Sequence, residues 1–242
     1  MVWLEPAPNV GVVRCLTEPS LAPEDLVAAH VARPAMRVDS RGFVRLNMVS
    51  SADGGTAVDG TSGGLGNRSD RAVFAALRKD ADVVLVGMVT AVAEQYRAPE
   101  QPHLRVFVIA KEPNISGNPE LFASGRATIV LPEDAPPVPA GLPELRAGTG
   151  GRVDLRAVVD QFMGRVVLME GGPGLAGVMV SLGLVDEFFQ TVAPKVISGG
   201  SARVSHGPGA DPAPWGLDHG FVDDDGYLFL RYSRPGLADG AA

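Results

Sequence analysis

An apolar run that ends in glycine and passes at once into a helix is a place where backbone can meet phosphate. Residues 166–177, Val-Val-Leu-Met-Glu-Gly-Gly-Pro-Gly-Leu-Ala-Gly, have that form. Missing Cβ atoms let a pyrophosphate approach the chain, and the unpaired N–H groups at the helix start carry the positive end of its dipole. Gly172, Gly174 and Gly177 satisfy G-x-G-x-x-G. The acidic residue expected about 20 positions later on a following strand is missing, which argues against a standard dinucleotide-binding first unit. A glycine-rich turn that only packs strand against helix would give the same pattern.

A second turn of this type, Leu85-Val86-Gly87-Met88-Val89-Thr90, ends another apolar run and offers the Thr90 hydroxyl to a helix start or a ligand. Glu94 follows one helical turn later on the same face. Taken alone, that pair reads as a cap and a solvated charge. Two such turns in one parallel sheet, however, bring their ligand-facing ends to the same carboxyl edge.

The elements needed to hold these turns are legible. Phe43–Ser51 alternates as a strand, with Phe43, Arg45, Asn47 and Val49 on one face and Val44, Leu46 and Met48 on the other. A glycine-rich loop, Ala52–Gly66, follows without apolar periodicity and reads as a surface or lid-like segment over a ligand. Ser69 is a cap candidate for a helix carrying Val73, Phe74, Leu77 and Arg78. Further strands are read at Val83–Val86, Leu104–Ala110, Ala127–Leu131, Val166–Met169 and Asp186–Ala193. Helices are read near Asp154–Met163 and Pro173–Leu182, with a peripheral one from Pro23 to about Ala32. A closing hairpin pairs Gly220–Val222 with Tyr227–Tyr232 around Asp223-Asp224-Asp225-Gly226. The expectation is therefore an α/β fold with a mixed, mainly parallel central sheet, helices on both faces and a C-terminal antiparallel hairpin. Residues 1–40 read as an N-terminal extension, 41–234 as one domain and 235–242 as a tail.

Composition narrows the function. The chain has 242 residues with 30 Gly, 20 Pro and a net charge of −7, so it has core-forming material but no basic field for nucleic acid. One cysteine, Cys15, excludes a multi-cysteine zinc site and suits a reducing compartment, so a cytoplasmic location is expected. His30, His103, His206 and His219 are scattered without metal-ligand spacing. The longest apolar run, Val83–Ala93, is far short of the ~20 residues that span a bilayer, and no signal peptide is apparent.

Five motifs in order resemble a known family. They are residues 45–54 (Arg-Leu-Asn-Met-Val-Ser-Ser-Ala-Asp-Gly), Ser69-Asp70-Arg71 with Ala76-Leu77-Arg78, Val86 to Thr90, Glu170-Gly171-Gly172-Pro173, and Gly183-Leu184-Val185-Asp186-Glu187. The segment from about 43 to 232 is similar to the pyrimidine reductase domain of riboflavin biosynthesis, the RibD C-terminal, dihydrofolate-reductase-like family. The resemblance implies that fold, NADPH as hydride donor, a homodimer, and a substrate such as 5-amino-6-(5-phosphoribosylamino)uracil. It puts NADPH against Ser50, Gly87, Thr90, Glu94 and the turn Gly171, Gly172, Pro173, Gly174 and Leu175, with Lys111 near the 2′-phosphate. It puts Asn47, Arg78 and Glu170 on the substrate side as the catalytic candidates.

Three positions depart from the pattern. Asn47 stands where riboflavin enzymes carry Lys, Gln95 stands where a Glu-Gly-Tyr variant has Gly, and Val89 stands where a Gly precedes the turn's Thr. A β-branched residue at 89 is expected to crowd the cofactor. Two alternatives stay open: reduction of a pterin in the manner of dihydrofolate reductase, and nucleotide binding without turnover.

Overall fold

The computed structural model describes residues 23–32, 41–209 and 213–234. Cys15, most of the expected N-terminal extension and the tail lie outside them. The elements in order are α1 (Pro23–Val31), β1 (Phe43–Ser51), α2 (Arg68–Asp80), β2 (Val83–Gly87), α3 (Met88–Ala93), β3 (Arg105–Ile109), α4 (Pro119–Ala123), β4 (Ala127–Leu131), β5 (Glu144–Arg146), α5 (Leu155–Asp160), β6 (Val166–Met169), α6 (Pro173–Ser181), β7 (Glu187–Ala193), β8 (Gly216–Val222) and β9 (Leu228–Ser233). They form one nine-stranded sheet in the order β5-β4-β3-β2-β6-β1-β7-β9-β8. Strands β1 to β7 are parallel, and β9 runs antiparallel between β7 and β8.

The apolar strands are buried because helices cover both faces. On one face Val73 and Leu77 of α2, Ala91 of α3 and Leu121 and Phe122 of α4 pack over Val84, Val86, Val106, Val108 and Leu168. On the other, Val158 and Val159 of α5 and Ala176 and Met179 of α6 pack over Val44, Leu46, Leu85, Val167 and Met169. The four adjacent parallel strands β2, β6, β1 and β7 therefore end side by side at one carboxyl edge.

Two sequence expectations are corrected here. The α2 cap is Asn67, whose side chain accepts from Asp70 N at 3.0 Å, and not Ser69. An Asx acceptor placed three residues before a free N–H is a strong cap, and Ser69 already lies inside the helix. The helix α1 is more than peripheral. Its last carbonyls, Val31 and Ala32, accept from the Arg45 guanidinium, and His30 is buried against Phe189.

Arg45 belongs to a buried ionic cluster. Its Nε donates to Glu187 Oε2 at 2.7 Å and its Nη1 to Asp80 Oδ2 at 2.8 Å, while Arg231 donates to Glu187 Oε1. Arg45 and Glu187 have no exposed surface. Burial, with His219, Arg231 and Arg45 nearby, lowers the His30 pKa to about 3, so the imidazole stays neutral beside the guanidiniums. One residue earlier, Asp186 takes Arg41, Arg234 and Val44 N. Removing one partner from such a cluster strands the others, at about 3–5 kcal/mol. Glu187→Gln should therefore lower the unfolding free energy by that amount, measured by urea titration.

Candidate active site

A cavity of about 990 Å³ opens at the carboxyl edge. That is near the upper end for small-molecule sites, ~300–1,000 Å³. Its wall takes Asn47, Met48 and Val49 from β1; Asp70, Arg71, Phe74 and Arg78 from α2; Val89, Thr90 and residues 93–97 around α3; and residues 170–173 after β6. Its rim consists of parts of the glycine loop and of residues 197–202.

The two glycine turns meet across β2 and β6. Gly172 N donates to Thr90 Oγ1 at 3.1 Å, and a Cβ built on Gly172 would stand 2.5 Å from that oxygen, so only glycine allows the contact. Gly171 has φ +83°, a conformation open to glycine, and its missing Cβ makes room for Met48 Sδ at 3.0 Å. Pro173 then occupies the first turn of α6, where its lack of an N–H costs nothing. The product is a backbone cradle at the positive end of a nine-residue helix, suited to a phosphate.

Beside the cradle, on the same cavity wall, Arg78 and Glu170 form a two-pronged ion pair. Nε donates to Oε1 and Nη2 to Oε2, each at 2.6 Å. The Tyr96 hydroxyl donates to the same Oε2 at 2.9 Å. Burial opposes the charge on Arg78, but the hydrogen bond and charge of Glu170 outweigh it and its pKa is raised. Burial and the Glu170 carboxylate push the Tyr96 phenol well above its usual range. Tyr96 is delivered by the end of α3. Gln95 N donates to Val92 O, Tyr96 N donates back to Ala91 O at 2.9 Å, and Gln95 has φ +47°. This is the left-handed helix stop that glycine usually makes, here made by Gln.

The glycine loop is not a free lid. Asp53 accepts from Ser51 Oγ, Ile197 N and Ser198 N, which together lower its pKa. Ser201 Oγ accepts from Thr56 N and Ala57 N, Thr56 donates to Ala202 O, and Glu94 Oε1 accepts from Ser62 N at 2.7 Å. The missing periodicity in 52–66 thus conceals hydrogen bonding to a distant segment.

Of the expected site residues, Asn47, Arg78, Glu170, Thr90, Glu94, Gly171, Gly172 and Pro173 are on the wall. Glu94 spends one carboxylate oxygen on the glycine loop. Ser50, Gly87, Lys111, Gly174 and Leu175 are off the wall. Ser50 is buried and accepts from Gln190 Nε2, Gly87 caps α3 close to Leu175, and Lys111 stands exposed past the end of β3. Val89, expected to crowd the cofactor, lines the cavity and is 84% exposed. The wall also holds residues that were not singled out as site residues in the sequence, among them Arg71, Arg97, Asp70 and Tyr96, the last quoted only as part of a variant motif. Among the described residues no group of three or more His, Cys, Asp or Glu is placed to hold a metal ion, and no helix is long and apolar enough to cross a membrane.

This combination of a mainly parallel sheet with two glycine turns and a polar cavity at its carboxyl edge defines a protein of the dihydrofolate-reductase-like fold. Residues 42–228 match the family model of the RibD C-terminal domain, and the chain belongs to that family. A 2,5-diamino-6-ribosylamino-4(3H)-pyrimidinone 5′-phosphate reductase from Methanothermobacter thermautotrophicus is 30% identical over 181 residues, 67% of this chain and 82% of the relative. A pyrimidine reductase-like protein from Corynebacterium diphtheriae superposes with a TM-score of 0.72 at 21% identity, covering 88% of this chain and 99% of the other. Dihydrofolate reductase from Enterococcus faecalis superposes with a TM-score of 0.52 at 14% identity, covering 81% and 98%.

Asp70 has its carboxyl oxygen against Gly66, where a Cβ would stand 2.7 Å away, and Thr191 donates to it. Burial raises its pKa. A carboxyl with a raised folded pKa favours the native state at low pH and loses that contribution as pH rises through the folded value. The stability of Asp70→Asn relative to wild type should therefore grow as pH rises from about 4, where the unfolded carboxyl ionises, through the raised folded value, read from urea midpoints.

Proposed function

We propose that the protein is an NADPH-dependent reductase acting on a ribosylaminopyrimidine 5′-phosphate of the riboflavin pathway. The observation that carries this reading is a single cavity wall that brings together the stitched glycine turns, Thr90 with Gly172, and the side chains of Asn47 and Arg78. The cradle fits a pyrophosphate because residues 171 and 172 put glycine backbone on the cavity wall and the first-turn N–H groups of α6 lack intrahelical acceptors. Bound there, NADPH supplies a hydride. Gly171, Gly172, Thr90 and the α6 start would hold the phosphates, with Lys111 at the same edge as a cation for the 2′-phosphate. The Gly87 turn and the Ser50 strand end would support the ring. Gly174 and Leu175 would contribute through the α6 backbone.

Elsewhere on the wall, Asn47 offers an amide donor and acceptor to a heterocycle, and Arg78 offers guanidinium N–H groups. The exposed guanidiniums of Arg71 and Arg97 on the same wall suit a substrate phosphate. Glu170, with both oxygens committed to Arg78 and Tyr96, holds Arg78 and is not a ready acid. Solvent then supplies the proton that accompanies hydride transfer. Reduction of a pterin is a second reading, favoured by Asn47 on the wall where a lysine would favour a phosphorylated substrate. We also propose a cytoplasmic homodimer, which light scattering of the purified chain tests.

NADPH should raise the melting temperature of the wild type, and no shift at millimolar cofactor would refute cofactor binding. Gly172→Ala, which drives a methyl into Thr90 Oγ1, should abolish that shift while the protein stays folded by circular dichroism. NADPH oxidation with the pyrimidinone 5′-phosphate should exceed that with dihydrofolate; the reverse order would favour the pterin reading.

A further inference from the structure

Glu170 is placed so that it cannot easily meet a ligand. Its side chain is 1% exposed, whereas that of Arg78, in front of it, is 20% exposed. Three hydrogen bonds fill most of the carboxylate's roughly four acceptor positions: two from Arg78 and one from Tyr96. A guanidinium has five N–H donors, and Arg78 spends one on Nε and one on Nη2 in this pair. Its Nη1 group and second Nη2 hydrogen remain uncommitted to Glu170. The Phe74 ring lies 4.4 Å and the Tyr96 ring 5.6 Å from Arg78 Cζ. With aromatic rings against the guanidinium, a ligand meets its N–H edge, which recognises in-plane acceptors such as a carbonyl oxygen beside a ring nitrogen.

We infer that Tyr96 is a positioning residue: its hydroxyl fixes the Glu170 carboxylate, and Glu170 in turn aims the Arg78 N–H edge at the acceptor side of the heterocycle. Tyr96 is itself well fixed. The left-handed turn at Gln95 sets its direction, and Asn118 Nδ2 donates to both Tyr96 O at 2.8 Å and Ala91 O at 3.0 Å, tying the helix end to α4. This chain of contacts adjoins the glycine cradle, since Ala91 follows Thr90 and Glu170 precedes Gly171, but its side chains are not those that form the Gly172–Thr90 contact. It rests on the proposed function only for the identity of the ligand, a pyrimidinone.

Tyr96→Phe keeps the ring and removes one O–H. Its melting temperature should stay near that of wild type. Nitrogen NMR of the ligand-free protein should show hydrogen exchange at Arg78 Nε accelerated roughly tenfold, because a carboxylate with one anchor fewer holds the guanidinium less firmly. The KM for the pyrimidinone 5′-phosphate should rise roughly tenfold with kcat changed less than about twofold, and NADPH affinity should not move. In an Arg78→Lys background, Tyr96→Phe should add nothing further. Unchanged exchange at Arg78 Nε, or effects of the two substitutions that multiply, would overturn the inference. Failure of the wild type to bind the pyrimidinone would refute the function instead, and the exchange measurement would still decide the role of Tyr96.

Discussion

A carboxylate with no exposed surface has to be surrounded by cations or hydrogen-bond donors, and Glu187 is such a group at the start of β7. Arg45 reaches it from the neighbouring β1 and Arg231 from β9 on the other side. Arg45 continues to Asp80 at the end of α2 and to the last carbonyls of α1. Asp186, one residue earlier, makes the corresponding arrangement at the start of β1 with Arg41 and Val44 N, and at the end of β9 with Arg234. The register of β1 against β7 is therefore pinned by charge as well as by apolar packing. A one-residue slip would separate Arg45 from Glu187 and carry every β1 side chain to the opposite face.

The site inherits that register. With Arg45 fixed on the α2 side of the sheet, Asn47 and Val49 must point the same way, because alternate residues of a strand share a face. Asn47 then stands on the wall, and Val49 sits beside Thr191, which holds Asp70. The glycine cradle depends on a different constraint, the contact between the turns that follow two neighbouring strands. The sheet pairs β2 with β6, and the absence of a side chain at position 172 lets Gly172 N reach Thr90 Oγ1. One set of contacts sets direction and the other sets distance.

Much of this was legible in the sequence where a local rule applied. The strands Val83–Gly87 and Val166–Met169 are short apolar runs ended by glycine, and α6 begins with Pro after Gly, so both turns could be placed at the correct edge. The three-residue strand Glu144–Arg146 and the helix Pro119–Ala123 were not legible. The first lies in a proline-rich connection and the second is too short to show a period. Helix α2 was found, but its cap was misplaced by two residues because Asn and Ser are both good caps. The pair Arg78–Glu170 spans 92 residues of sequence, and nothing in either segment marks the other as its partner. The resemblance named both residues without indicating that one hides the other. Gln95 was recognisable as a departure, but its positive φ was not visible without the structure.

The rim of the cavity joins segments that are distant in the chain. Asp53 is bonded to Ser198, 145 positions later, and Thr56 to Ser201 at a similar separation. Closing loops that long has to be offset by contacts already formed, and non-local pairings of this kind slow folding. The rim can close only after β7 has docked on β1, since β7 carries the chain from which residues 197–202 emerge. A growing or partly unfolded chain can thus hold its central parallel strands while lacking a mouth to its cavity. Ligand-binding competence should be among the last properties this protein acquires as it folds.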